Sequence, residues 1–210
     1  MNTIKHCKIS ARRWGGLESD YYAIHDFIDS TKVLCSDGRH RVLHTLWGIK
    51  HVVVPMFGDQ IVNADGKEVD VKDLCERDHL LVDYANKFIP TLGDFVMAID
   101  EQMVVDLEKK VEWFHSHLSG LPMISELLLS PLAVTGKLKS LLITHNSWFI
   151  NSIAGRLFSL KPMLMDFSLS PFDVFGSMNF EPWMDNALAY PPSAEKMKAF
   201  ENSATTSFII

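Results

Sequence analysis

Residues 20–32 read Asp20-Tyr21-Tyr22-Ala23-Ile24-His25-Asp26-Phe27-Ile28-Asp29-Ser30-Thr31-Lys32, and their spacing sets the fold class. Ile24, Phe27, Ile28 and Thr31 recur at three and four residues, the period of an α-helix with one face to bury. His25, Asp29 and Lys32 fall at i, i+4 and i+7 and make a polar stripe beside the apolar one. The unit that emerges is an amphipathic helix with imidazole and carboxylate at the edge of its buried face.

The same period extends in both directions. From Thr3 to Phe57 it is broken only at Gly15-Gly16 and at Ser36-Asp37-Gly38, which predicts three helices joined by short turns. Ser19 or Asp20 is the expected cap of the second. Asp37 is that of the third, which runs from about Arg39 towards Val54 until Pro55 ends it. Gln60 to Val71 holds two β-prone runs around Asp65-Gly66, a hairpin signature. Helical spacing returns from Lys72 to Phe88, stops at Ile89-Pro90-Thr91, and resumes in a helix expected from Leu92 to about Leu118.

From Ser119 onward Leu, Met, Phe and Ser dominate, and breaks such as Ser130-Pro131 and His145-Asn146 predict short packed helices. Met163, Met165, Met178 and Met184 read as core filling. The expected fold is mainly α: a helical core with one small β-hairpin, plus an inserted helical subdomain. The core would span 1–99 with the hairpin at about 60–71 and be completed by 181–190. The insertion would occupy 100–180 and a tail 191–210.

With 210 residues, 47% apolar and 22% charged, the chain is neither disordered nor collagen-like, and it is long enough to bury a core unaided. Its net charge of −6 is uneven: eight Lys/Arg face five Asp/Glu up to Gly58, and twelve face twenty-one after it. An anionic ligand can be served locally, but a broad duplex nucleic-acid surface is not expected. Charges interrupt every apolar stretch before it reaches about 18 residues, so no membrane span is expected. Cys7, Cys35 and Cys75 are odd in number, without a Cys-x-x-Cys, and no leader-like run precedes them. They read as buried thiols of a protein kept in a reducing cytoplasm.

Chemistry concentrates early, with six of the nine histidines in the first 79 residues. Asp37, His40 and His44 fall at i, i+3 and i+7, and Glu76, His79 and Asp83 repeat that spacing. His40-x-x-x-His44 and His79-x-x-x-Asp83 together offer three imidazoles and one carboxylate within reach of one ion. Such a set, with His25 from the neighbouring helix, suits a divalent transition metal (Zn, Mn or Fe) rather than Mg²⁺ or Ca²⁺. Arg41 stands where a zincin would carry its glutamate, which excludes that peptidase chemistry. Arg39, Arg41 and Lys32 either hold an anionic group bidentately or pair internally with Asp26, Asp29 or Asp37 as a structural network. No Gly-x-Ser-x-Gly, Walker loop or Gly-x-Gly-x-x-Gly occurs. His115-Ser116-His117 reads as a surface pair.

Ser10-Ala-Arg-Arg-Trp-Gly-Gly16, the 20–32 stretch, Arg39-His40-Arg41-Val-Leu-His44, Gly48-Ile49, Phe57-Gly58, the Asp65-Gly66 hairpin and Glu76-x-x-His79-x-x-x-Asp83 occur in this order. So arranged, and followed by Ile89-Pro90-Thr91-Leu92 and by Glu181-Pro182-Trp183-Met184, they resemble the DUF6915 family, small uncharacterised proteins of bacteria and their phages. Thr45 departs from the family pattern, which often has a second histidine after His44. About 80 residues also separate segments that lie closer in shorter relatives. The resemblance implies no activity; it marks His6, His25, Arg39, His40, His44 and His79 as positions of interest.

The residues favour a metal-dependent hydrolase of a phosphoester or nucleotide-type substrate. His40, His44, His79 and Asp83 are its expected ligands, with His25 beside them. Asp26, Asp37 or Glu76 would activate water, and Arg39, Arg41 and Lys32 would hold the anionic group. The alternative is a non-catalytic phage or prophage accessory protein that binds a host protein or a small nucleotide and uses its histidines structurally. Either would work in the cytoplasm, the host's if phage-encoded.

Overall fold

The computed structural model of the chain describes residues 2–34, 38–118, 120–159, 167–176 and 178, without the side chains of Arg39 and Glu101. The architecture is mainly α with one small two-stranded sheet, as the spacing predicts. Two compact units divide after Thr91.

In the first unit, α1 (Thr3–Trp14) starts at Asn2, whose side chain accepts the Lys5 N–H at 3.1 Å. It packs on α2 (Glu18–Asp29), the helix read from residues 20–32. The cap of α2 differs from expectation. Leu17 holds the N-cap position, and Asp20 reaches back from the first turn to accept the Leu17 N–H at 2.8 Å.

The hairpin pairs β1 (Gln60–Val62) with β2 (Glu68–Asp70), Ile61 opposite Val69. Asn63 organises its turn: Oδ1 accepts the Asp65 and Lys67 N–H groups, and Nδ2 donates to the Trp14 carbonyl and the Tyr21 hydroxyl. Asp65 accepts the Gly16 N–H and Asp20 the Ala64 N–H, both at 2.8 Å, so the turn is stitched to the α1–α2 corner. That approach explains Gly16. Its φ is +68°, and a Cβ there would lie 2.5 Å from Asp20 Oδ2 and 2.8 Å from Asn63 Cβ.

The third predicted helix is not one helix. Short 3₁₀ segments, Ser30–Val33 and Gly38–Leu43, lead to a break at Arg41 (φ −83°, ψ 22°), and Thr45 then caps a new helix, α3 (residues 46–57). Pro55 does not end α3. A π turn over Ile49–Val53 precedes it, with Val54 N–H bonded to Ile49 O, so the ladder is already out of α register where the proline lacks its donor. Helix α4 (residues 71–83) is capped by Asp70 and also carries a π turn, Cys75–Leu80. It stops short of the expected Phe88 because Ala85 and Asn86 turn left-handed, φ +55° and +57°. Tyr21, Ile28, Leu43, Ile49, Leu74 and Leu80 fill the core.

The second unit contains α5 (Leu92–Met97), a 3₁₀ turn Glu101–Val104, α6 (Leu107–Ser116), α7 (Pro122–Thr135), α8 (residues 147–157, with a π turn Phe149–Ala154) and α9 (Pro171–Gly176). The single helix expected from Leu92 to Leu118 is interrupted twice. Asp100 leaves the helical region and accepts the Gln102 N–H at 2.9 Å, and Asp106 is left-handed with φ +57°. Phe95, Phe114, Leu128, Leu142 and Phe149 are buried, as is Met178; Met163, Met165, Met184, the 181–184 motif and the tail lie outside the described residues. Among the described residues no helix is long and apolar enough to cross a membrane.

Candidate metal centre

Four histidines and two aspartates meet in the core of the first unit. His6 comes from α1, His25 and Asp29 from α2, His44 from the position just before the Thr45 cap, and His79 and Asp83 from α4. The four imidazoles have no solvent exposure, and the side chains of Asp29 and Asp83 are 5% and 1% exposed.

One subset forms a compact donor cage. His44 Nε2 lies 3.1 Å from His79 Nε2 and 3.3 Å from both Asp29 Oδ1 and Asp83 Oδ2. His79 Nε2 is 3.5 Å from Asp29 Oδ1 and 3.9 Å from Asp83 Oδ2. A tetrahedral ion with bonds of about 2.0–2.1 Å sets its ligand atoms about 3.3–3.4 Å apart, close to these edges. The donor set, two imidazoles and two carboxylates, could hold a metal ion. His6, His25 and His79 form a second group whose ligand atoms lie within 4.8 Å of one another.

Around the cage the histidines are fixed by their other nitrogens. His79 Nδ1 is 3.0 Å from His25 Nδ1, a nitrogen pair that shares one proton, and His25 Nε2 is 2.9 Å from the Ser10 hydroxyl. His6 Nδ1 donates to the Asp78 carbonyl at 2.7 Å, which leaves Nε2 as a bare lone pair. That lone pair is 3.2 Å from Asp83 Oδ1 and lacks the alignment of a hydrogen bond. His44 Nδ1 is also buried without a hydrogen-bond partner among the described residues. Asp78 ties α4 to α1 through Arg13 Nε at 2.6 Å and Trp14 Nε1 at 2.7 Å.

Burial pushes the His25 pKa down to about 3, with His6 adding to the effect, and holds His79 well below the ordinary histidine range. Burial would by itself raise Asp29 and Asp83, but the imidazoles packed against them, His44 first, outweigh it and hold both below the usual carboxylate range. Neutral imidazoles beside ionised carboxylates are the states that bind metal.

The structure unites three of the expected ligands, His44, His79 and Asp83, and adds Asp29. His40 is buried and its ring meets that of His44 edge-on at 5.5 Å, but it is in neither donor group. The non-helical Arg41 between them removes the shared face that four-residue spacing would give. His25 joins the His6 group rather than the cage. Asp26 points outward from α2, and Glu76 pairs with Lys72 at 3.0 Å; neither is in a donor group. Lys32 contacts Asp29 Oδ1 at 2.7 Å, and Arg41 lies 4.0 Å from Asp83 Oδ2, so both cations face the cluster's own acids. Asp37 and the Arg39 side chain lie outside the described residues. Asp29 was legible all along, because His25-x-x-x-Asp29 repeats the spacing of His79-x-x-x-Asp83.

No curated protein and no solved structure matches this sequence. The family model described as a domain of unknown function, DUF6915, matches residues 1–105, which include every residue of both donor groups. The chain therefore belongs to the DUF6915 family.

Proposed function

We propose that the chain binds one divalent transition metal, Zn, Mn or Fe, through Asp29, His44, His79 and Asp83, and hydrolyses a phosphoester or nucleotide-type substrate with it. The observation that carries this reading is the cage of four donor atoms, five of whose six edges measure 3.1–3.9 Å. A bound ion would supply a Lewis acid and a water of lowered pKa. An ion at Asp29 Oδ1 would take over the neutralisation that Lys32 Nζ provides at 2.7 Å. Lys32 and Arg41, with side chains 36% and 15% exposed, would then turn to an anionic substrate at the rim.

A second reading has its own support. The imidazoles are fully buried and the nearby cations pair with the cluster's acids, as in a structural network within a non-catalytic phage or prophage accessory protein that binds a host protein or a small nucleotide.

Elemental analysis separates the two. The hydrolase reading expects about one transition-metal ion per chain, lost from a folded Asp29→Asn/His44→Gln variant, together with metal-dependent cleavage of bis(p-nitrophenyl) phosphate or a nucleotide. A protein that takes up no Zn²⁺ or Mn²⁺ overturns it. Full loading without cleavage of any phosphoester overturns the hydrolase and leaves a structural metal.

A further inference from the structure

Three side chains in the second unit form a hydrogen-bonded line apart from the metal centre. His145, from the turn before α8, is fully buried and places Nδ1 2.9 Å from the Leu141 carbonyl. A carbonyl only accepts, so Nδ1 carries the proton and Nε2 is bare. His115 Nε2, on α6, lies 2.9 Å from that nitrogen and must be its donor. His115 Nδ1 is then unprotonated, and it faces the Ser125 hydroxyl of α7 at 3.3 Å. Thr144 reinforces the order. Its hydroxyl donates to the Leu128 carbonyl at 2.6 Å, leaving its oxygen, 3.1 Å from His145 Nδ1, to accept. One backbone carbonyl thus fixes every tautomer along the line and leaves a base beside a serine.

We propose that Ser125 is a nucleophile, His115 its general base and His145 the residue that positions His115, in a site that cleaves or transfers the acyl group of carboxylic esters. Ser125 and His115 are half-buried and reachable, whereas His145 is not. As the Oγ–carbon bond forms, the hydroxyl proton passes to His115 Nδ1. When the ester C–O bond breaks, the leaving alcohol takes that proton. Water then attacks the acyl-serine by the same route and restores Ser125. Burial keeps both imidazoles neutral near pH 7, the state a base requires. The exposed residues one turn before Ser125, Leu121 and Pro122, are apolar, which favours an uncharged acyl group.

An alkyl fluorophosphonate tests this on the full chain. Ser125 Oγ displaces fluoride, an O–P bond replaces P–F, and the adduct is located by peptide mass spectrometry. Ser130, on the same helix with its hydroxyl donated to the Leu127 carbonyl, is the internal standard. We expect Ser125 to react at least about 100-fold faster than Ser130, with EDTA having no effect, and His115→Gln to abolish the difference. His145→Leu should slow labelling, while His145→Gln, which retains an acceptor for the His115 N–H, should recover most of it. Labelling of Ser125 no faster than Ser130, or unchanged in His115→Gln, overturns the proposal. Wild-type labelling in His145→Leu removes His145 from it.

Discussion

Acidifying the metal-free protein from pH 7 to 5 should cost each unit at least about 2 kcal/mol of stability, the share of one buried histidine in each. His25 and His145 have folded pKa values of about 3, both because burial penalises the imidazolium, against 6.5 for an ordinary histidine. In this range the unfolded chain binds a proton that the folded chain refuses. Stability is therefore complete above about pH 6.5 and falls as pH drops towards the folded value, at about 1.4 kcal/mol per pH unit and site. His79 acts in the same direction as His25. Asp29 and Asp83, held below the usual carboxylate range, add further loss only below about pH 4. Urea unfolding in EDTA, followed by hydrogen exchange, resolves the two units, and the ring resonances of His145 report its titration directly. A His145→Leu variant should flatten the pH dependence of the second unit and leave the first unchanged. Equal stability at the two pH values, or a His145 midpoint between pH 6 and 7, would refute the reasoning.

Three other outcomes follow from contacts already described. Gly16→Ala should destabilise the first unit by about 2–4 kcal/mol, from the left-handed backbone plus the clash with Asp20 and Asn63, and a shift in urea midpoint worth under about 0.5 kcal/mol would contradict this. Asn63→Ala removes the one oxygen that accepts two hairpin-turn amides and the amide that donates to Trp14 and Tyr21 at the α1–α2 corner, an expected loss of about 2–3 kcal/mol in which exchange of the Asp65 and Lys67 amides quickens first. Asp29→Asn, close in shape but uncharged, should weaken Zn²⁺ binding about 100-fold or more while far-ultraviolet circular dichroism stays unchanged; calorimetric titration with undiminished affinity would exclude Asp29 as a ligand.

The parts legible in the sequence are those set by local rules. The stripe from Ile24 to Thr31 yields α2, and Asp65-Gly66 between two β-prone runs yields the hairpin. What escaped depended on partners distant in sequence or on irregular backbone. Asp20 caps α2 from inside because the hairpin occupies the corner where Ser19 or Asp20 would otherwise begin the helix. His40 fails as a partner of His44 because Arg41 leaves the helical region, a break that four-residue spacing cannot report. Pro55 misled in the opposite sense, since a π turn removes the reason for a proline to stop a helix. His115 was read as surface from its two-residue spacing to His117, yet it bonds to His145, thirty residues away. Three of the four donors in the cage, His44, His79 and Asp83, were visible, and the fourth, Asp29, stood in the polar stripe without being counted.

The π turn in α4 also bears on how this site tolerates length changes. Such a turn is an α-helix holding one residue more than its hydrogen-bond ladder needs, and here that surplus lies at Cys75–Leu80, with His79 inside it and Asp83 beyond it. Deleting one residue ahead of His79 would relax α4 to an ordinary helix with every backbone bond intact. Because the π turn already absorbs that residue, Asp83 beyond it would keep its direction, whereas the same deletion in a purely α helix would turn Asp83 by about 100° around the axis. The surplus residue in α4 is thus a reserve of length: one residue can be lost ahead of His79 with the backbone ladder regular and Asp83 still directed at the cage.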